Sequence, residues 1–215
     1  TFILLVSYTV ILCMGNGYAC DESNILSIID RQLFGEAHLY QKSPIDPEGF
    51  VSTLSAIAHT CIGFSYGKWI IQSHQTENKV LRLFLTGFIL MSIGYLLADA
   101  LPLNKRIWSP TFVLVTCGAA SMSLATLMYY IDIRNKQKWC RFFIIFGVNP
   151  LFLYVLSEVL AIMMGSTGWK AAAYAAIHSG ITDAYLASAV YALVFTLFLG
   201  GIGYPLYLKK IYIKL

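Results

Sequence analysis

Charged residues are scarce in this chain. Of its 215 residues, 12% are charged and 58% are hydrophobic, and the mean hydropathy is +0.67. A soluble domain carries roughly a quarter charged residues, so this composition excludes an ordinary soluble protein. The chain is predicted to be a polytopic membrane protein.

Several common signatures of binding and catalysis are also missing. The five cysteines are scattered, without the paired spacing of a zinc or redox site, and we predict no metal ion. The basic residues behind the net charge of +4 lie in short loops, which does not indicate binding to nucleic acid. The glycines of Gly200-Gly201-Ile-Gly203 follow no strand, so they indicate helix packing rather than a nucleotide loop. No linker or internal repeat divides the chain, which predicts a single transmembrane domain over residues 1–215.

Long apolar runs are what the chain has in abundance. They predict an all-α integral membrane protein, a bundle of about six transmembrane helices with one or two short interfacial helices. Helical spacing of apolar residues between Ile25 and Phe34 predicts the first interfacial helix, and an alanine-rich stretch after Trp169 predicts the second. The apolar segments are residues 1–14, 50–72, 80–101, 109–131, 142–164 and 186–208.

The first segment is shorter than the roughly 20 residues that a span needs. The chain opens in it without Met, and the segment lacks the basic leader and the cleavage site of a signal peptide. We therefore expect residues 1–14 to be the remainder of a helix cut from a longer protein. A complete active site need not be present in this chain.

Lysine and arginine divide unequally between the two sides that alternate along the segments. Of the 15 such residues, ten lie in the loops after the second and fourth segments and in the flanks and tail, and five lie on the other side. Cytoplasmic loops carry the excess of positive charge. The distribution therefore predicts that both chain ends are cytoplasmic and that the long acidic loop, residues 15–48, is outside.

The fifth segment contains residues that are unfavourable in a continuous transmembrane helix. Pro150 has no N–H, so the carbonyl of Phe146 loses its helical partner and needs another one, from Asn149, a neighbouring helix or water. Glu158 is unfavourable at membrane depth, so it should face the bundle or a wet cavity. Asn149 is predicted in the inner half of the span, with Glu158 about 13 Å further outward at 1.5 Å per residue.

Polar residues precede the second segment. Asp46-Pro47-Glu48-Gly49 has good chemistry for the start of a helix, with Pro near the first turn and acids at its positive end. Two carboxylates at the mouth of a bundle could equally bind an amine or a sugar hydroxyl. The residues alone leave both interpretations open.

A second polar group precedes the fourth segment. Ser109 is placed to cap the helix, with Pro110 at its first position. Lys105 and Trp108 could anchor the membrane boundary or form an outer substrate site with the acids before the second segment.

Two features inside the second segment have a structural and a functional interpretation. His59 shares a helix face with polar neighbours, and a lone His is more often a hydrogen-bonded interior residue than a catalyst, although a polar residue at membrane depth is more often functional. Gly63-Phe-Ser-Tyr-Gly67 predicts a close contact with another helix.

The predicted cytoplasmic side is basic. Lys68 could anchor the boundary or contact phosphate, and the loop from Asp132 to Arg141 is either a positive-inside loop or a contact for an anionic cofactor such as coenzyme A. Sequence spacing does not separate these alternatives.

The order and spacing of the motifs resemble those of a known family. Over nearly the whole chain they are similar to the C-terminal half of the heparan-alpha-glucosaminide N-acetyltransferase family, in particular its bacterial homologues. The motifs are Asp46-Pro-Glu-Gly49, the segment Gly63 to Trp69, Leu101-Pro-Leu-Asn-Lys-Arg-Ile-Trp-Ser-Pro-Thr-Phe-Val-Leu to Gly118, and Phe146-Gly-Val-Asn-Pro-Leu-Phe-Leu-Tyr154.

This resemblance implies a multi-pass membrane acyltransferase in the bacterial inner membrane. Such an enzyme moves an acetyl group from cytoplasmic acetyl-CoA to an amino sugar or envelope glycan on the outer side. The implied partners are the lipid bilayer, the N-terminal half of the same protein and the glycan acceptor, with a homodimer as an open alternative. The family's proposed catalytic His lies in the N-terminal half, and none of the four histidines here matches it by motif. We therefore assign no catalytic residue and expect this fragment to be inactive alone.

Two sets of binding residues follow from the resemblance. The set expected to bind the acceptor and line the path of the acyl group is Asp46, Glu48, Asn104, Lys105, Trp108, Asn149 and Glu158. The set expected to meet the phosphates of acetyl-CoA is Lys68, Arg134, Lys136 and Arg141. The alternative is a transporter or flippase-like module, because broken helices and buried charges also mark transporter sites.

Overall fold

The computed structural model describes residues 1–40, 43–73 and 75–213. Across these residues the chain forms α-helices and short 3₁₀ and π turns without a strand, which confirms the predicted all-α class. A π turn, Tyr129–Ile133, extends the fifth helix. The helices are α1 Phe2–Met14, α2 Ile25–Phe34, α3 Thr53–Gln72, α4 Thr76–Leu96, α5 Pro110–Met128, α6 Cys140–Val148, α7 Pro150–Ser166, α8 Trp169–His178 and α9 Ala184–Leu208.

Long apolar helices confirm an integral membrane protein. Within the described residues, α4, α5 with its π turn, and α9 are each long and apolar enough to cross a membrane. Helices α6 and α7 meet the same criteria only together, and they are bent by 81° at their junction. The other two of the six predicted spans are α1, an apolar helix of 13 residues, and α3, a 20-residue helix of lower hydropathy. Among the described residues, three helices are therefore candidate spans by themselves, and the bent pair, counted as one span, would be a fourth.

The chain divides into two compact units. The first unit is Thr1–Asn135 and contains α1 to α5, and the second is Lys136–Leu215 and contains α6 to α9.

Helices α4 and α5 form a tight antiparallel pair in the first unit. A Cβ atom on Gly118 would lie 2.5 Å from the carbonyl oxygen of Gly87, so the two backbones are in direct contact. The hydroxyl of Ser121 donates across the pair to the carbonyl of Leu83 at 2.8 Å. Small residues permit such close approach between transmembrane helices.

The close helix contact predicted at Gly63 and Gly67 is not formed within the described residues. A Cβ atom at either position would have no neighbouring atom within 4 Å. The glycine-mediated contact lies between α4 and α5 instead, and the glycine face of α3 is open.

A buried core fixes one end of the first unit. Tyr8 and Leu12 of α1 pack there with residues from α2, from the segment before α3 and from the loop before α5, and the Tyr8 hydroxyl donates to the carbonyl of Ile107. We call this the α2 end. The other members of the core are Leu26, Ile45, Val51 and Ile107.

Helices α3 and α5 run parallel from this end. Near their starts, the hydroxyl of Ser55 donates to the carbonyl of Trp108 at 2.6 Å. Near their other ends, Tyr66 of α3 and Ala125 of α5 pack with Leu83, which lies early in α4. We call this opposite end, with the α3–α4 turn and the C-terminus of α5, the basic end.

Candidate functional site

The α2 end brings together two segments that sequence analysis assigned to substrate binding. The guanidinium of Arg106 donates to the hydroxyl of Ser43 at 3.3 Å, and Ile45 and Ile107 share the buried core. The fold therefore places the segment of Asp46 and Glu48 beside the loop of Asn104, Lys105 and Trp108.

The loop before α5 closes on itself through Asn104 and Ser109. The side-chain oxygen of Asn104 accepts from the backbone N–H of Arg106 at 2.9 Å, and the backbone N–H of Asn104 donates to Ser109 Oγ at 3.0 Å. Ser109 Oγ also accepts from the N–H of Phe112 at 3.3 Å, and Pro110 is the first residue of α5. The predicted cap is confirmed, and the Asn104 side chain holds the turn.

Asp46 and Glu48 differ in how much of each carboxylate remains available. Both oxygens of Asp46 accept local backbone N–H groups, from Tyr40 at 3.0 Å and from Glu48 at 2.9 Å. The Glu48 side chain is exposed and bonds to no residue that the structure describes. Asp46 shapes the turn, and Glu48 is the carboxylate open to a ligand.

Asp30, which sequence analysis did not single out, is a buried carboxyl at this end. Its Oδ1 accepts from the N–H of Phe50 at 2.8 Å, and its Oδ2 has no partner within the described residues. A Cβ atom on Gly49 would lie 2.2 Å from Oδ2, so only glycine fits there. Burial raises the pKa of Asp30 despite the Phe50 bond, and the nearby Asp46 charge also raises it.

Helix α2 explains why Asp30 was missed. The apolar spacing of this segment predicted an interfacial helix, and three of its apolar side chains, Ile28, Leu33 and Phe34, are 40%, 56% and 49% exposed. The buried residues of the helix are Leu26, Ser27 and Asp30. An interfacial helix directs part of its apolar surface to lipid, so apolar spacing alone did not show that Ser27 and Asp30 are buried beside Leu26.

Asp30→Asn is expected to remove a pH dependence of stability. Because the folded-state pKa of Asp30 is raised, its protonated form favours folding, and this contribution is lost as pH rises through the folded pKa. The amide of Asn keeps an acceptor for Phe50 but does not titrate. Melting temperatures in nanodiscs from pH 4 to 7 should fall less in this variant than in the wild type. Glu48→Gln is the exposed control and should keep the wild-type slope; an unchanged slope in Asp30→Asn would contradict the assignment.

The basic end carries two of the four predicted phosphate contacts. Lys68 lies late in α3 and Arg134 follows the π turn after α5, and both are exposed. Lys79 and Arg82 of α4, which sequence analysis did not assign, line a cleft of about 180 Å³ with Trp69. Positive charge therefore collects at the end of the unit opposite Glu48.

The second unit holds the Asn-Pro break. Helix α6 ends at Val148 and Pro150 begins α7, so the fifth apolar segment, residues 142–164, is divided between two helices. Proline suits the first position of a helix because its missing N–H has no partner there anyway. The 81° bend follows from a new helix starting at Pro150.

The side chain of Asn149 is hydrogen-bonded to the segment after α9. It is 2% exposed; its amide nitrogen donates to the carbonyl of Ile211 and its oxygen accepts from the N–H of Ile213, both at 2.8 Å. The amide thus binds the backbone on either side of Tyr212 rather than a carbonyl freed by Pro150. Glu158, on α7, is exposed.

Comparison with known proteins agrees with the motifs. No family model matches the chain. In alignments 204 residues long that cover 87% of this chain, it is 27% identical to heparan-alpha-glucosaminide N-acetyltransferase of Mus musculus and 28% identical to that of Homo sapiens. The chain resembles the heparan-alpha-glucosaminide N-acetyltransferases. The resemblance predicted from the motifs is confirmed, and the chain spans 30% and 29% of the length of these two relatives.

The residues that this resemblance to the heparan-alpha-glucosaminide N-acetyltransferases singled out fall into separate places. Those brought together at the α2 end are Asp46, Glu48, Asn104, Lys105 and Trp108. Lys68 and Arg134 lie at the basic end of the same unit. Those in the second unit are Asn149, Glu158, Lys136 and Arg141.

A polar cleft adjoins the residues at the α2 end. It has a volume of about 580 Å³ and includes Tyr40, whose N–H binds Asp46. Arg31 in its wall pairs with Glu22 at 2.8 Å. The remaining polar lining residues include Asp21, Glu36 and Ser43. The excess of carboxylates over guanidinium groups suits a cationic or hydroxyl-bearing ligand.

Proposed function

We propose that this chain is part of a multi-pass membrane acyltransferase that moves an acetyl group from cytoplasmic acetyl-CoA to an amino sugar or glycan on the outer side. The observation that carries the proposal is the match of 87% of the chain to two proteins named as N-acetyltransferases. In this reaction the acceptor amine bonds to the acetyl carbon, the carbon–sulfur bond breaks, and the amine proton passes to the departing thiolate.

The acceptor is proposed to bind at the α2 end. Glu48 and Lys105 are exposed there, and the adjoining cleft of about 580 Å³ carries further carboxylates. Asp46, Asn104 and Trp108 would shape this site, because the side chains of Asp46 and Asn104 hold its two turns. An amino sugar offers the ammonium and hydroxyl groups that such a surface binds.

Acetyl-CoA is proposed to bind at the basic end. Lys68 and Arg134 would supply positive charge for its phosphates, with Lys79 and Arg82 beside them. Lys136 and Arg141, the other two cations that the resemblance assigns to acetyl-CoA, belong to the second unit. A helix of 20 residues, the length of α3, spans about 30 Å at 1.5 Å per residue, which is the thickness of the hydrocarbon core. The donor and acceptor sites would then lie on opposite sides of the membrane.

Other properties would belong to the complete enzyme rather than to this chain alone. Asn149, with the break at Pro150, and Glu158 would line the acyl path. The N-terminal half of the same protein would supply the catalytic His, so this chain would be inactive alone. The enzyme would lie in a bacterial inner membrane with both ends of this chain cytoplasmic, as a monomer or a homodimer.

The test is acetyl transfer by the complete protein in nanodiscs, from acetyl-CoA to a glucosamine-terminated oligosaccharide. Arg134→Ala is expected to raise the KM for acetyl-CoA about tenfold or more, because a charge-assisted hydrogen bond contributes about 1.5–3 kcal/mol. The KM for the oligosaccharide should not change. Lys170→Ala, a basic residue outside the assigned set, is the control. Absence of transfer by the wild type, or transfer by residues 1–215 alone, would contradict the proposal.

A transporter or flippase-like module is the second candidate, and the bent α6–α7 pair supports it. Broken helices line substrate sites in many transporters. Uptake of the oligosaccharide into proteoliposomes without acetyl-CoA would favour transport, whereas acetylated product only in the presence of acetyl-CoA would favour the enzyme.

A further inference from the structure

A second cleft lies beside α3, distinct from the polar cleft at the α2 end. It has a volume of about 580 Å³ and is lined by Ala56, His59, Thr60, Gly63, Phe64 and Trp108. The Thr60 hydroxyl already donates within its own helix, to the carbonyl of Ala56 at 3.0 Å. No lysine, arginine or carboxylate belongs to this lining, so the wall is largely apolar.

Two ring nitrogens in this wall have no hydrogen-bond partner. They are Nδ1 of His59 and Nε1 of Trp108, both buried and both unpaired within the described residues. The two ring centroids are 5.9 Å apart. An unsatisfied buried polar group costs about 1–3 kcal/mol, so two of them beside one cleft indicate a missing partner. The indole N–H can only donate, and a neutral imidazole can donate from one nitrogen.

The backbone of Trp108 is held in a conformation that a bulky residue rarely adopts. Its φ is 52°, in the left-handed region, where a non-glycine residue costs about 1–3 kcal/mol and persists only when its surroundings hold it. The Ser55 hydroxyl donates to its carbonyl at 2.6 Å, and its N–H donates to the carbonyl of Lys105 at 3.1 Å. Its ring packs edge-on against Phe112, with centroids 5.5 Å apart. Strained residues of this kind concentrate at functional sites.

The chemistry of the cleft selects its ligand. A phosphate would need a cation, which the lining lacks, and a sugar ring would need several free polar partners in an apolar wall. A group with one acceptor oxygen and a small apolar body could accept from the two unpaired donors and occupy the open space beside Gly63. An acyl carbonyl has this character.

We infer that this cleft binds the carbonyl of the acetyl group during transfer. The Nε1–H of Trp108 and the Nδ1–H of His59, in the tautomer that carries its hydrogen on Nδ1, both donate to the carbonyl oxygen. The inference rests on the proposed function and names where in the chain the reacting group is held. Both nitrogens are shielded in this structure, so binding requires a rotation of each ring about its Cβ–Cγ bond. As the acceptor nitrogen bonds to the carbonyl carbon, charge builds on this oxygen until the carbon–sulfur bond breaks and the amine proton passes to the thiolate. Donors aimed at that oxygen stabilise the charge.

Trp108→Phe tests the donor while keeping an aromatic ring against Phe112. In the complete protein in nanodiscs we expect kcat for acetyl transfer to fall about 10²–10³-fold, the usual loss for one such donor, with little change in either KM. In the infrared spectrum of bound acetyl-CoA labelled with ¹³C at the carbonyl, the wild type should show a downshifted carbonyl band that the variant lacks. Trp169→Phe, at the start of α8 and outside the residues assigned to either substrate, is the matched control and should change neither reading.

His59→Phe provides the second variant and the check on folding. It should weaken the same infrared shift and lower kcat, and His59→Gln, which retains a donor, should recover part of both. Transfer by the wild type with kcat and band unchanged in Trp108→Phe and His59→Phe would overturn the inference and leave the proposed function intact. A wild-type protein with no downshifted band would overturn the inference whatever its activity. Absence of transfer with the band present would count against the proposed function alone.

Discussion

Gly118→Ala is expected to destabilise the first unit by about 3 kcal/mol or more. The added Cβ would lie 2.5 Å from the carbonyl oxygen of Gly87 and 2.7 Å from the backbone nitrogen of Met91. Both are backbone atoms of α4, so no side chain can turn away and the helices themselves must separate. Overpacking of a well-packed interior costs about 1–3 kcal/mol even where side chains can adjust. Separation would also stretch the bond from Ser121 to Leu83.

Gly67→Ala is the matched control, because it makes the same substitution in a helix of the same unit. Its Cβ would have no neighbouring atom within 4 Å, so stability should be unchanged or rise by up to about 1 kcal/mol through helix propensity. Thermal unfolding of both variants in one detergent, followed by circular dichroism, gives the comparison. Equal melting temperatures for the two variants would show that α4 and α5 are not packed backbone to backbone.

The contrast between Gly118 and Gly67 shows what sequence can predict about helix packing. The small-residue pattern at Gly63 and Gly67 predicted a close contact that the described residues do not form, whereas Gly87 and Gly118 form one. A close contact depends on two helices presenting small residues at the same height. A pattern read along a single helix does not contain that information.

The break at Pro150 was predictable and its consequences were not. Proline stereochemistry is local, so the interruption follows from the sequence. The partners of Asn149 are separated from it by 62 and 64 residues, and no local pattern links them. The fold class and the cap at Ser109 were predicted for the same reason, since apolar length and capping are local. The cleft of His59 and Trp108 joins α3 to the loop before α5 and needed the tertiary structure.

Ser109→Ala is expected to destabilise the first unit by about 2 kcal/mol. Ser109 is fully buried, and its hydroxyl oxygen accepts from the backbone N–H groups of Asn104 and Phe112 at 3.0 and 3.3 Å. Alanine removes a helix cap, which costs about 1 kcal/mol, and leaves a second N–H without its acceptor, which adds about 1–3 kcal/mol if it stays buried. The same hydroxyl lies 3.1 Å from Thr111 Oγ1, so that contact is lost as well.

Hydrogen exchange locates this effect within the loop. The amides of Asn104 and Phe112 should exchange faster in Ser109→Ala, because each loses the acceptor that protects it. Ser65→Ala is the control, since the exposed Ser65 hydroxyl donates only to its own helix, to the carbonyl of Cys61 at 2.8 Å; its effect should stay within about 0.5 kcal/mol. Unchanged exchange at both amides in Ser109→Ala would mean that the loop is held by other contacts. The left-handed backbone of Trp108, one residue before the cap, would then be held by its two other hydrogen bonds, which its carbonyl accepts from Ser55 and its N–H donates to Lys105.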